Sequence, residues 1–164
     1  MSTTPASTST STSTSSAVRF HVSGRIARPV AEVFEAVVAP EQLSQYFTTG
    51  GAKGRLESGA TVTWDFADFP GAFPVEVVEV TAPSRIVLRW AAAGDGPPDH
   101  TTVTMEFTAL PGDRTLVTIA EESWPDTESG RTAAFGNCEG WTGMLCALKV
   151  WIEHGINLRD GFYV

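Results

Sequence analysis

Few side chains in this sequence are placed to do chemistry, and the most telling of them is Glu121. It shares strand parity with Val117 and Ile119, so the period of two that sends alternate side chains to one face carries its carboxylate toward the interior. Desolvation there raises a carboxyl pKa, which suits general acid or base work or the orienting of a polar ligand group. The plainer alternative is a strand end, because Glu122 follows and the apolar alternation stops with it. Trp64, Trp90, Trp124 and Trp141 form a second group, flat rings that offer a ligand apolar area and an N–H donor, or that pack as ordinary core. A mixed outcome is expected, with Trp141 and Met144 at a cavity wall and at least one other Trp purely structural. Met105 and Met144 are adaptable enough to fit either role. With Leu145 and Leu148, the candidate cavity lining is Trp64, Trp90, Met105, Glu121, Trp124, Trp141, Met144, Leu145 and Leu148. No residue is assigned a catalytic role.

Other chemistries lack their residues. His21, His100 and His154 stand apart from one another and from the cysteines, with no zinc-site spacing. No nucleophile elbow or phosphate-cradling loop is present, and Gly50-Gly51-x-x-Gly54 reads as a flexible turn or lid. No metal and no cofactor is expected. Cys138 and Cys146 fall in one helical stretch, where eight residues separate them by roughly 12 Å, too far for an intrachain disulfide. Eleven basic against nineteen acidic residues leave a net charge of −8, which opposes nucleic acid and anionic lipid alike. No window offers the roughly 20 apolar residues of a membrane span, and the N-terminus lacks the blocks of a secretory signal. A cytoplasmic protein is expected, without membrane insertion.

The elements that must position these side chains follow from periodicity. Residues 1–16, rich in Ser and Thr, are expected to be a disordered tail, and 17–164 a single domain. Val18, Phe20 and Val22 alternate as a first strand, and Val30, Val33, Phe34, Val37 and Val38 recur at helical spacing after Pro29. A second short helix runs from Glu41 to about Tyr46, and Thr48 to Gly54 reads as a mobile loop. Val62, Trp64 and Phe66 share a strand face, as do Ile86, Leu88 and Trp90, and Val103, Met105 and Phe107. Between them, Phe73 to Val80 slips parity at Val77-Val78, which a β-bulge explains. Thr115 to Ser123 is the last strand, joined by a turn at Leu110 to Asp113. The chain closes on a helix from near Arg131 to about Leu158, with Ala134, Cys138, Trp141, Leu145, Leu148 and Ile152 along one stripe. The fold class is α+β: a curved antiparallel sheet of about seven strands around the C-terminal helix, with two short helices after strand 1.

In order and spacing these segments resemble the SRPBCC, or START-like, superfamily, and within it the activators of the 90-kDa heat shock protein ATPase. The likeness runs from about Val18 to Leu158. It begins with Ile26-Ala27-Arg28-Pro29, Val33-Phe34, Ala36, Pro40-Glu41-x-Leu43 and Tyr46-Phe47, where family members usually carry Trp in place of Tyr46. Its most specific stretch is Val75-x-Val77-Val78-Glu79-Val80 followed by Pro83-Ser84-Arg85-Ile86-Val87-Leu88-x-Trp90. Thr102-Val103-Thr104-x-Glu106-Phe107, Thr115-Leu116-Val117-Thr118 and Gly140-Trp141-x-x-Met144-Leu145-x-x-Leu148 complete it. The resemblance implies a helix-grip fold, in a superfamily of lipid carriers, hormone receptors, polyketide aromatase/cyclases and co-chaperone domains.

The expected function is noncatalytic binding of a small apolar or amphipathic molecule between the C-terminal helix and the sheet. One alternative is a chaperone-ATPase activator homologue acting by contact with a 90-kDa heat shock protein. The other is a polyketide aromatase/cyclase-like enzyme in which Glu121 handles protons.

Overall fold

The computed structural model describes residues 17–163; the Ser/Thr-rich tail lies outside the described residues. β1 (Val18–Ile26) leads to α1 (Val30–Val38) and α2 (Pro40–Tyr46), and six strands follow: β2 (Gly51–Lys53), β3 (Thr61–Phe66), β4 (Phe69–Thr81), β5 (Arg85–Ala91), β6 (His100–Leu110) and β7 (Arg114–Trp124). α3 (Glu128–His154) closes the domain. The strands form one antiparallel sheet in the order β1-β7-β6-β5-β4-β3-β2. This is the α+β architecture that the periodicity predicts and the helix-grip fold that the resemblance implies, with the expected register shift between Val77 and Glu79 on β4.

β2, both ends of α3 and the start of β4 at Phe69 differ from the sequence-based expectation. β2 occupies part of the expected loop, pairing Gly51, Ala52 and Lys53 with Asp65, Trp64 and Thr63; three residues are too few to show a period. α3 starts at Glu128, where the Thr127 side chain accepts a hydrogen bond from the Gly130 N–H at 3.0 Å, a cap that contributes about 1 kcal/mol. It ends at His154 because Gly155 turns left-handed at φ 70°, a conformation that costs glycine little.

The apolar face of α3 rests on the concave side of the sheet. Trp141, Met144, Leu145, Ala147 and Leu148 are buried there against Ile119, Met105, Leu88 and Ile86. Each large side chain contributes about 1.5–3 kcal/mol, which together outweighs the roughly 1 kcal/mol that each helical glycine costs. Helix and β1 come close enough that the Leu145 side chain lies 3.9 Å from where a Cβ on Gly24 would stand. α3 is thus pressed onto one flank of the sheet, and the space left under it opens toward β3, β4 and β5. Cys138 and Cys146 are free.

Candidate functional site

Alternation on three neighbouring strands brings the polar centre of the molecule together. Thr101 faces inward with Val103 and Met105 on β6, Glu121 with Val117 and Ile119 on β7, and the register places Trp90 of β5 opposite Thr101. Asn137 and Trp141, four residues apart on α3, come down on the same face one turn from each other. All converge on Glu121, which is 0% exposed. Its Oε1 accepts from Thr101 Oγ1 at 2.7 Å and Trp90 Nε1 at 3.0 Å, and its Oε2 from Trp141 Nε1 at 2.8 Å. Asn137 Nδ2 donates to both oxygens, at 3.3 and 3.2 Å. Burial pushes the carboxyl pKa above its ordinary value, and the hydrogen bonds from these four side chains oppose that rise without cancelling it.

The two indoles that share this carboxylate are held parallel, 5.5 Å apart at an interplanar angle of 6°. Phe47 stacks on Trp141 at 5.5 Å, and Trp64 meets Trp90 edge-on at 5.7 Å. In front of this wall lies a cleft of about 650 Å³. Phe66 and Phe73, stacked on each other, line its far side, and Trp124, Asn137 and Gly140 line it near the start of α3. Two ion pairs frame the opening: Glu76 with Arg89 at 2.8 Å, and Asp68 with Arg159 at 2.6 Å.

Of the residues singled out by sequence, Trp90, Trp124 and Trp141 stand on the cleft wall. Glu121 sits behind that wall and braces it. Trp64 lies one layer deeper at 1% exposure. Met105, Met144, Leu145 and Leu148 pack in the core, because α3 seats on the sheet along its C-terminal half. Trp124 faces inward even though it breaks parity with Glu121: Ser123 takes a left-handed φ of 69° and β1 pairs across the irregularity, with Val18 opposite Trp124 and Phe20 opposite Glu121. Thr101 and Asn137 are missing from the sequence-based set, although parity with Val103 marks the first and its spacing from Trp141 the second. Asp68 and Arg159, 91 residues apart, carry no periodic signal at all. Among the described residues no cluster of His, Cys, Asp or Glu has a metal-binding geometry, and no helix is long and apolar enough to cross a membrane.

Residues 27–153 match the family model described as activator of Hsp90 ATPase homolog 1-like protein. No curated protein matches the chain significantly. Among solved structures, the protein SSP2350 from Staphylococcus saprophyticus is 27% identical, with a TM-score of 0.72 over 87% of this chain and 96% of that one. DynU16, from the dynemicin biosynthetic locus, is 26% identical with a TM-score of 0.70, over 84% of this chain and 48% of its own. PFC0360w, an Hsp90 activator from Plasmodium falciparum, shares the fold at 23% identity and a TM-score of 0.65, covering 84% of this chain and 96% of that one.

Proposed function

Because the chain belongs to the family of activator of Hsp90 ATPase homolog 1-like proteins, we propose a function one level below that membership: noncatalytic binding of a small, flat, apolar or amphipathic molecule against Trp90 and Trp141. The observation that carries this is the wall of the cleft, two parallel indoles fixed by one buried carboxylate. Its volume of about 650 Å³ lies within the ordinary range for small-molecule sites. Both oxygens of Glu121 are already occupied by donors, which favours a bracing role over proton exchange with a ligand. The likeness to DynU16, a protein of a biosynthetic locus, also supports a small-molecule partner. In this reading the protein works in the cytoplasm, which its free cysteines fit.

Gly140 provides the test. It lines the cleft, and a Cβ there meets nothing within 4 Å. Gly140→Leu therefore starts from an unobstructed Cβ and puts its branched end in the cleft, while helix propensity improves by about 1 kcal/mol. Native mass spectrometry and thermal shift against an aromatic-ligand panel should show binding by the parent chain, and a folded, equally or more stable variant that has lost it. A parent chain that binds nothing, or a variant that binds as well as the parent, refutes the reading.

Family membership favours a second reading, contact with a 90-kDa heat shock protein. Its measure is the chaperone's ATP turnover with and without the protein, and an unchanged rate counts against it.

A further inference from the structure

The segment after α3 supplies the cleft with a cation whose hydrogen-bonding capacity is only partly used. Arg159 Nη2 donates to both carboxylate oxygens of Asp68, at 2.8 and 2.6 Å. Its Nε is buried without a partner, and its Nη1 makes no hydrogen bond among the described residues. A guanidinium offers five N–H donors in a planar fork, and a carboxylate is usually met by two of its nitrogens. Here one nitrogen serves the whole carboxylate, and the others are left over.

The guanidinium is also held in place. It lies 4.8 Å from the Phe66 ring centre and 4.7 Å from that of Tyr163, and the side chain is 12% exposed. Arg159, Asp68, Phe47 and Phe66 all line the cleft. The surrounding charge limits what can approach. Asp68 already balances Arg159, and Glu76 balances Arg89. The Glu121 carboxyl lies behind the indoles, and the whole chain carries −8. A full anion meets an opposing field, and a cation finds both carboxylates of the cleft rim engaged. A neutral oxygen meets neither obstacle, and Nη1 has donors to spare.

Building on the small-ligand reading above, we propose that Arg159 is the polar anchor of the cleft and selects a flat aromatic molecule bearing a neutral carbonyl oxygen. Nη1 donates to that oxygen while the ring system lies along Trp90 and Trp141. Arg159 is a specificity-determining residue in this account.

Three probes of one ring size test it by calorimetry: 2-acetylnaphthalene, 2-ethylnaphthalene and 2-naphthoate. The acetyl compound should bind at least about tenfold tighter than the ethyl compound, the discrimination of one hydrogen bond to a charged donor, and tighter than the carboxylate. Arg159→Lys keeps a positive charge for Asp68 but loses the planar fork. It should bring the acetyl and ethyl affinities within about twofold of each other, with the acetyl affinity falling more than the ethyl one. Equal affinities in the parent chain, a preference for 2-naphthoate, or a preference that survives in Arg159→Lys overturns the assignment. If Arg159→Lys weakens both neutral probes alike, the residue holds the wall and not the ligand, which also overturns it. Failure of all three probes on the parent chain sinks the small-ligand reading itself.

Discussion

Replacing Glu121 with Gln keeps the size of the side chain and removes its ability to accept at both ends. The Gln oxygen can take the place of Oε1 and still accept from Trp90 and Thr101. Its amide nitrogen then occupies the place of Oε2 and faces the Trp141 N–H, donor against donor. Asn137 can rotate its amide to offer an oxygen, but Trp141, 2% exposed, has no other acceptor among the described residues. One buried donor left without a partner costs about 1–3 kcal/mol. The pH dependence supplies the sharper test. Glu121 has a folded-state pKa above the ordinary 4.5, so between those two values the folded chain holds a proton that the unfolded chain has released. Its contribution to stability is complete below 4.5 and is lost as pH rises through the folded value. When protonated, the carboxyl can donate to Thr101, whose hydroxyl reverses its role. Gln does not titrate, so urea unfolding of both proteins from pH 4 to 8 should show a deficit of about 1–3 kcal/mol for Glu121→Gln at the acid end, narrowing as pH rises. A deficit that widens with pH would mean that the hydrogen bonds outweigh burial. No deficit at any pH would mean that the carboxylate does not brace the indoles; either result refutes the reasoning.

Two further substitutions probe how the cleft is framed. Gly130→Ala gains helix propensity on paper, yet its Cβ would press into the Pro125 carbonyl oxygen; the expected result is a lower melting temperature, with the loss exceeding the roughly 1 kcal/mol gain. Asp68 is pulled up by burial, but its hydrogen bonds to Arg159 and that residue's charge win and hold its pKa below the ordinary 3.8. It therefore contributes stability above pH 3.8 that is lost as pH falls through the folded value. Asp68→Asn should lower stability at neutral pH and flatten the acid limb of the curve, as read by thermal melts from pH 2 to 7.

Legibility of the molecule in its sequence follows from range. Alternation on β3, β5 and β6 is a local signal, and it identified Trp64, Leu88 and Met105 as inward-facing. The same parity placed Glu121 inside, although Glu122 beside it argued for a fraying strand. β2 escaped because its three residues show no period and its partners lie in β3. The position of the cleft escaped for a different reason. It depends on which part of α3 touches the sheet, and the apolar stripe of the helix runs past Trp141 into Leu145 and Leu148 without marking where contact is tight. Arg159 and Asp68 are the extreme case, since two charged residues in two separate turns look solvated until the fold closes them against Phe47 and Phe66.

The most direct test follows the indole N–H resonances of the five tryptophans by two-dimensional nitrogen–proton NMR as 2-acetylnaphthalene is added. Trp90 and Trp141, which line the cleft, should shift and saturate together. Trp151, whose N–H donates to Gln42 outside the cleft lining, should stay in place. Movement of Trp151 alone, or no movement of Trp90 and Trp141 at probe concentrations that saturate the protein, would contradict the claim that this aromatic wall is where the protein holds its ligand.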